Sequence, residues 1–404
     1  MDPLDILTNL SMVTPHFQAI FNADERKVIG YEVLGRIKTD EGWASLGPFF
    51  RDSTIPDEYR LEVDDLVVRK ALDYWLEVDT SPYIFINRNT DLLMKDHGES
   101  LLELLKVYQE KGFPLDHLVL EITEHEFTGE IERLNHLLTY YRTYGIKIAV
   151  DNVGNGAGNL DRIGLIAPDI LKVDLHMLRK TNGLASYQDV LYSLSLLARK
   201  IGAALLYEEI ETMYQLQYAW RNGGRYYQGF YLQSPTESFV EEYLLKAKLK
   251  QEIQHFIEHE KKKIQNIYHL SFTIQQAVQK SLQKDKKDSK GDDLIKMISN
   301  DLSAYSFRIY ICDEDGFQQS ANHIKAKNGW ELLPTYYDKN WSWRPYFLEN
   351  IMKMKLEGRG ILSDLYSDIE TGDMIRTFSY PIDQHQFLFI DLTYEYLYEQ
   401  NAIF

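Results

Sequence analysis

A chain of 404 residues, 44% hydrophobic, has the composition of an ordinary globular protein with room for two domains. Its formal net charge of −17 argues against gripping long nucleic acid by the phosphates, although an acidic pocket can hold a phosphorylated ligand through intervening cations. The single cysteine, Cys312, excludes an intrachain disulfide and thiolate metal clusters.

No apolar run reaches the ~18–20 residues that a membrane span requires. The opening Met1-Asp2-Pro3-Leu4-Asp5 lacks the basic-then-apolar pattern of a secretory signal, so the cytoplasm is the expected compartment. From Pro15 to Pro235 short apolar runs alternate with longer amphipathic stretches. The runs His16–Phe21, Val28–Leu34, Tyr83–Ile86, Leu118–Ile122, Ile146–Val150, Ile170–Val173, Ala203–Tyr207 and Tyr226–Tyr231 read as strands. Asn22-Ala23-Asp24-Glu25 joins the first two as a turn, which predicts an opening hairpin. Leu101–Gly112, Ile131–Tyr144 and Tyr187–Ile201 read as helices between later strands. Alternation of this kind predicts a mainly parallel sheet, and eight strands in this length fit a TIM-like (β/α)8 barrel with one antiparallel strand. A doubly wound open sheet is the other arrangement, but the chain has no Gly-rich phosphate loop after its first strand.

Beyond Pro235 the pattern changes. Phe239–Leu282 carries Leu249, Ile253, Phe256, Ile257, Ile264, Ile267 and Leu270 at roughly helical spacing and reads as one long helix or two abutting ones. Such a helix either packs on the barrel or serves as a dimer or signalling helix. Gln283–Asp293 is charged and reads as a linker. Phe307–Cys312, an Asp315-Gly316 turn, Arg376–Ile382 and Phe387–Leu392 then read as antiparallel strands of a small α+β domain. The expected division is a barrel over 1–235, a helical connector over 236–290 and a second domain over 291–404.

Functional residues of such barrels come from the carboxyl ends of different strands, which open onto one face. The residues closing the candidate strands are Glu32, Asn87, Glu121, Asp151 with Asn152, Lys172 with Asp174, Glu208 and Gln228. Any one of these could be a loop or cap residue; a ring of them at matching positions is a site. Hard oxygen donors suit Mg²⁺, Mn²⁺ or Ca²⁺, and several carboxylates at one mouth suit two-metal phosphoryl chemistry.

Those residues also carry a resemblance. Glu32-Val33-Leu34-Gly35-Arg36 resembles the E-A-L-x-R signature of the EAL family, Ile86-Asn87 its I-N, and Glu121-Ile122-Thr123-Glu124 its E-x-T-E. Lys172-Val173-Asp174 is similar to its K-x-D, Glu208-Glu209-Ile210-Glu211 to its E-G-V-E, and Gln228-Gly229-Phe230 to its Q-G-[FY], all in family order. The resemblance implies hydrolysis of cyclic di-GMP to linear pGpG with Mg²⁺ or Mn²⁺, Ca²⁺ binding but inhibiting, and a homodimer. It implies that Glu32, Asn87, Glu121 and Asp151 hold the first metal and that Glu208 completes the cluster. By the same resemblance Lys172 positions and helps deprotonate the attacking water, and Leu34 and Arg36 meet ligand base and phosphate. Gln228 then orients water or ligand, Glu124 anchors the loop after Asp151, and Glu211 supports Lys172. Arg36 could instead form a surface ion pair, and Asp174 either contacts ligand, caps a helix or braces Lys172. The histidines His16, His117, His125 and His176 lack metal-ligand spacing and read as ordinary residues.

The family's D-D-F-G-[TSA]-G-Y-S-S-L stands here as Asp151-Asn152-Val153-Gly154-Asn155-Gly156-Ala157-Gly158-Asn159-Leu160. Asn152 replaces an acid that the resemblance assigns to the second metal, and an amide oxygen binds a cation more weakly than a carboxylate. Glu209 replaces a glycine. A slow or conditional hydrolase and a receptor that binds cyclic di-GMP without turnover therefore both stand. In the second domain, Trp341-Ser342-Trp343-Arg344-Pro345-Tyr346-Phe347, Gly360–Asp364 and Tyr366–Asp368 resemble PAS-like or Cache-like sensor domains, which implies a small-molecule ligand.

Overall fold

The structure, a computed structural model, describes residues 3–78, 81–123, 127–153, 160–176, 178, 185–284, 289–344 and 347–400. The chain divides into two compact units, Met1–His255 and Phe256–Phe404. Among the described residues no helix is long and apolar enough to cross a membrane.

The first unit is a closed barrel. Its strands are β1 (Val13–Asn22), β2 (Val28–Thr39), β3 (Gly42–Ser45), β4 (Tyr83–Arg88), β5 (Leu118–Ile122), β6 (Lys147–Val150), β7 (Ile170–Asp174), β8 (Ala204–Glu208) and β9 (Tyr226–Tyr227). The order β1-β9-β8-β7-β6-β5-β4-β2 closes through a β1–β2 pairing, with β3 as a hairpin extension of β2. β1 is antiparallel to both ring neighbours, and the other ring pairs are parallel. This is the TIM-like barrel with one antiparallel strand that the pattern of runs predicts.

Period-two alternation builds the interior in layers. Ile20, Phe85, Val119, Ala149, Ile170 and Leu206 form one buried cluster, a plug of one side chain from each of six strands. Two residues further along β4, β5, β7 and β8 the same inward face carries Asn87, Glu121, Lys172 and Glu208, and Asp151 lies two beyond Ala149. The polar ring therefore rests on an apolar floor. Gly30, two before Glu32, has no room for a side chain: an added Cβ would lie 2.9 Å from the Phe85 ring and 2.6 Å from the Tyr83 carbonyl oxygen.

β9 stops at Tyr227, four residues short of the predicted run to Tyr231. The chain turns at Gly229, where φ is +148° and a Cβ would stand 2.2 Å from the Ile210 carbonyl oxygen, so glycine alone allows this approach. The predicted helix from Phe239 starts later and is continuous, Lys246–Lys284. Phe239 is held before it by a parallel stack on Tyr31 at 4.2 Å, and the Val240 N–H donates to the Tyr31 hydroxyl at 3.0 Å.

In the second unit an antiparallel sheet has the order β12-β11-β10-β17-β16-β13. These strands are β10 (Ser306–Asp313), β11 (Asn322–Ala326), β12 (Gly329–Leu333), β13 (Ile361–Leu362), β16 (Thr377–Pro381) and β17 (Gln386–Leu392), with β14 (Tyr366–Ser367) and β15 (Met374–Ile375) paired apart. Both faces are covered. Ile309, Ile311, Leu388 and Ile390 pack with Leu270, Ile274 and Val278 of the long helix and with Ile295 and Ile298 of a following helix. The alternate residues Tyr310, Cys312, Phe387 and Phe389 pack with Phe347, Ile351 and Met354. The linker expected over Gln283–Asp293 is shorter than predicted, because helix resumes at Asp292.

Candidate active site

Lys172 is the centre of the polar ring. Its ammonium, 1% exposed, donates to Glu121 Oε2 at 2.8 Å and to Glu32 Oε2 at 3.1 Å, and stands 3.2 Å from Glu208 and 3.5 Å from Asp151. Glu32 also accepts from Gln228 Nε2 at 2.6 Å and from Asn87 Nδ2 at 2.7 Å. Asn152 Nδ2 donates to Asp151 Oδ2 at 3.0 Å. Eight of the residues singled out at strand ends thus form one connected cluster.

Four carboxylates around one ammonium carry excess negative charge in a buried place, and their proton affinities follow. Burial acts against the Lys172 ammonium, but the charges of Asp151, Glu121, Glu208 and Glu32 outweigh it and raise its pKa well above the ordinary range. Burial, with Glu32 adding and Lys172 opposing, pushes the Glu121 carboxyl well up. Burial and Asp151 do the same to Glu208. Burial also acts upward on Glu32, yet the Lys172 charge and the hydrogen bonds from Gln228, Lys172 and Asn87 hold it below its usual value.

Three buried oxygens in this cluster, Glu121 Oε1, Asp151 Oδ1 and Gln228 Oε1, accept no hydrogen bond. Orphaned buried acceptors are costly, and hard-cation ligation is one way to satisfy them. Among the described residues no three acidic, histidine or cysteine side chains stand ready to hold a metal ion, for the Lys172 ammonium occupies the space between the acids. The donor set is nonetheless all oxygen and fits a hard divalent cation.

The surrounding backbone aims these groups. The Asp151 N–H donates to Ile122 O at 2.8 Å and the Val153 N–H to Lys172 O at 3.0 Å, so the segment after β6 is tied to both neighbouring strands. Asn152 is left-handed, with φ 57°, a region that asparagine tolerates. Glu209 is also left-handed, φ 54°, where a glycine would be unstrained. The Gln228 N–H donates to Tyr207 O at 2.9 Å, and its own carbonyl accepts from Ile210 N–H at 3.1 Å, which points the amide at Glu32.

The other predicted residues lie around this cluster. Leu34 and Arg36 are half-buried further along β2; Arg36 NH1 donates to Gly35 O at 3.0 Å and Ser45 Oγ at 3.3 Å. Burial lowers the Arg36 pKa, with Glu32 opposing. Asp174 turns to its own chain, accepting from the His176 N–H at 2.7 Å and meeting His176 Nδ1 at 2.5 Å. The Glu211 N–H donates to Gln215 Oε1 at 2.9 Å inside the capping box of the helix Met213–Arg221. Glu124, His125 and residues 154–159 lie outside the described residues.

Sequence reading missed Arg88. It follows Asn87 on the opposite face of β4, is 6% exposed, and donates to Asp64 and Asp65 at 2.6 Å each. This clamp ties the end of β4 to the helix Asp57–Glu77 and so steadies Asn87. Strand alternation after Asn87 was the available signal.

Residues 7–235 match the EAL domain family, and residues 239–404 match the EAL-domain associated signalling protein domain. An uncharacterized EAL-domain containing protein of Bacillus subtilis, YkuI, is 58% identical over 405 residues, 100% of each chain. The crystal structure of that YkuI protein, in complex with substrate cyclic di-GMP and calcium, covers 100% of both chains at 57% identity and a TM-score of 0.95. A probable cyclic di-GMP phosphodiesterase of Escherichia coli, PdeB, is 26% identical over 236 residues, which is 56% of this chain and 43% of that protein.

Proposed function

The chain belongs to the EAL-domain family, and on that premise we propose that its barrel mouth binds cyclic di-GMP with divalent metal and hydrolyses it slowly or conditionally to pGpG. The observation that carries this reading is the ring of Glu32, Asn87, Glu121, Asp151 and Glu208 around Lys172, where Glu121 Oε1, Asp151 Oδ1 and the neighbouring Gln228 Oε1 accept no hydrogen bond. The complex of YkuI with cyclic di-GMP and calcium supports it.

In this reading Glu32, Asn87, Glu121 and Asp151 hold a first cation, with Glu208 completing the cluster and Asn152 offering an amide oxygen to a second. When bound, Mg²⁺ or Mn²⁺ supplies charge neutralisation at phosphate and a lowered pKa for water; Ca²⁺ supports binding and suppresses turnover. Lys172 hydrogen-bonds the attacking water. It is an ammonium while the carboxylates are unshared, so any proton-accepting part waits until their charge is taken up elsewhere. Gln228 keeps Glu32 oriented, Arg36 faces a ligand phosphate and Leu34 a base, Glu124 anchors the segment after Asp151, and Glu211 supports Lys172. Asp174, closed on His176, braces the end of β7. Water adds at phosphorus, one P–O3′ bond breaks, and the leaving oxygen takes a proton, giving the linear dinucleotide.

A second reading, a receptor that binds without cutting, is favoured by Asn152. Its amide nitrogen faces Asp151, so the position offers a donor where a second cation needs an anion. The C-terminal domain, with the long helix, supports homodimerisation and control of the barrel by a small ligand. The test is paired: cyclic di-GMP binding and pGpG release with Mg²⁺, Mn²⁺ and Ca²⁺, for the natural chain and Asn152→Asp. Slow release with Mn²⁺ that the aspartate accelerates supports the first reading, and binding with no release supports the receptor. Absence of binding with every metal refutes both.

A further inference from the structure

The second unit contains a cavity of about 140 Å³ between the β10 end of the sheet and the Trp341–Arg344 segment. That is well below the ~300 Å³ of the smallest drug-sized sites, so an occupant has few non-hydrogen atoms. One wall is acidic. The Arg308 guanidinium is spanned by Asp368 at 2.9 Å, Glu370 at 2.9 Å and Asp391 at 2.5 Å, and Asp368 and Glu370 line the cavity. Three carboxylates to one guanidinium leave this wall with surplus negative charge.

The opposite wall offers donors. The Arg344 guanidinium lies over the Trp341 and Trp343 rings, 4.5 and 5.8 Å from their centroids. Tyr310 is 5% exposed, stacks on Phe389 and lines the cavity, yet its hydroxyl meets no hydrogen-bond partner among the described residues. Asn322, 2% exposed, accepts from Gln318 Nε2 at 2.8 Å through its oxygen, while its NH₂ meets no partner among the described residues. Both side chains are otherwise buried and open to this one small cavity, where a ligand can meet their polar ends. A lone anion there would face the acidic wall, and a lone cation would have to displace Arg344 from the indole faces. A molecule carrying both charges satisfies both walls.

We propose that this cavity binds a small zwitterion of the α-amino acid class. Its ammonium meets Asp368 and Glu370, and its carboxylate meets Tyr310, Asn322 and Arg344. The proposal rests on the reading that this domain takes a small ligand and is independent of the cyclic di-GMP reading.

The test is calorimetric titration and thermal shift of the full chain with each standard amino acid at millimolar concentration, alongside alkylamines and alkyl carboxylates that present a single pole. Cyclic di-GMP binding is measured on the same preparation. One or a few small amino acids are expected to bind, with the matched amine and acid at least ~10-fold weaker. Tyr310→Phe, which keeps the ring stack, should weaken binding ~10-fold, and Trp343→Ala, at an exposed ring, several-fold. Equal binding of amine or acid alone overturns the zwitterion while leaving a small-ligand domain. No binding by any probe overturns both, and full affinity in Tyr310→Phe overturns the placement. Each of these outcomes leaves the barrel reading to its own titration.

Discussion

Asn152→Asp reports on the charge balance of the barrel mouth before any turnover is measured. Asn152 Nδ2 donates to Asp151 Oδ2 at 3.0 Å, so the aspartate exchanges a donor for a second anion at that distance. The lost hydrogen bond to a charged group costs about 1.5–3 kcal/mol. Two unit charges 3.0 Å apart repel by roughly 5 kcal/mol at an effective dielectric of ~20. Proton uptake restores an O–H donor between the two carboxyls and so caps both costs together at about 4 kcal/mol at pH 7, since each pH unit above an aspartate's ordinary pKa costs ~1.4 kcal/mol. Backbone strain does not enter, because aspartate tolerates the left-handed φ of 57° much as asparagine does. The metal-free variant should therefore lose about 2–4 kcal/mol, or roughly 4–16 °C in the barrel transition. With saturating Mn²⁺ the added carboxylate has a partner, and the variant should gain more stability than the natural chain. Scanning calorimetry of both chains in chelator and in Mn²⁺ provides the assay. Equal melting in chelator, or equal gains with Mn²⁺, would refute the reasoning.

Other positions yield sharper, smaller tests. Gly229→Ala places a Cβ 2.2 Å from the Ile210 carbonyl and should cost more than ~3 kcal/mol in urea unfolding, with Gln228 drawn off Glu32. Asp368→Asn breaks a buried partner of Arg308 and should cost about 3 kcal/mol near neutral pH. Burial acts upward on the Asp368 carboxyl, but the Arg308 bond and charge hold it below its ordinary 3.8. Its contribution is thus present above pH 3.8 and fades as pH falls through the folded value, so the natural and variant chains should converge in stability there.

The barrel and its ring were legible because both rest on the same period of two. Phe85 predicts Asn87, Val119 predicts Glu121, and Leu206 predicts Glu208, each as an apolar residue two before a polar one on the inward face. The hairpin of β11 and β12 was not legible: Asn322–Ala326 and Gly329–Leu333 are half-polar and only partly buried, and gain their strand form from pairing, β11 with β10 and β12 with β11. Arg88 escaped because its role lies in its partners, Asp64 and Asp65, which only the packing of the preceding helix on β4 brings to it. The conformations of Asn152 and Glu209 are tertiary facts. The sequence marks both as substitutions, and only the backbone shows that one sits comfortably at positive φ and the other does not.

The apolar plug beneath the ring also sets a route. Ile20, Phe85, Val119, Ala149, Ile170 and Leu206 form a buried apolar layer below Lys172, so the acids of the ring face the barrel mouth. A dinucleotide seated across that mouth would cover them. Loading would then run cation first and nucleotide second, with departure in reverse. Chelator should strip metal quickly from the free chain and slowly from the nucleotide-bound one, a difference of kinetics that no equilibrium affinity would reveal.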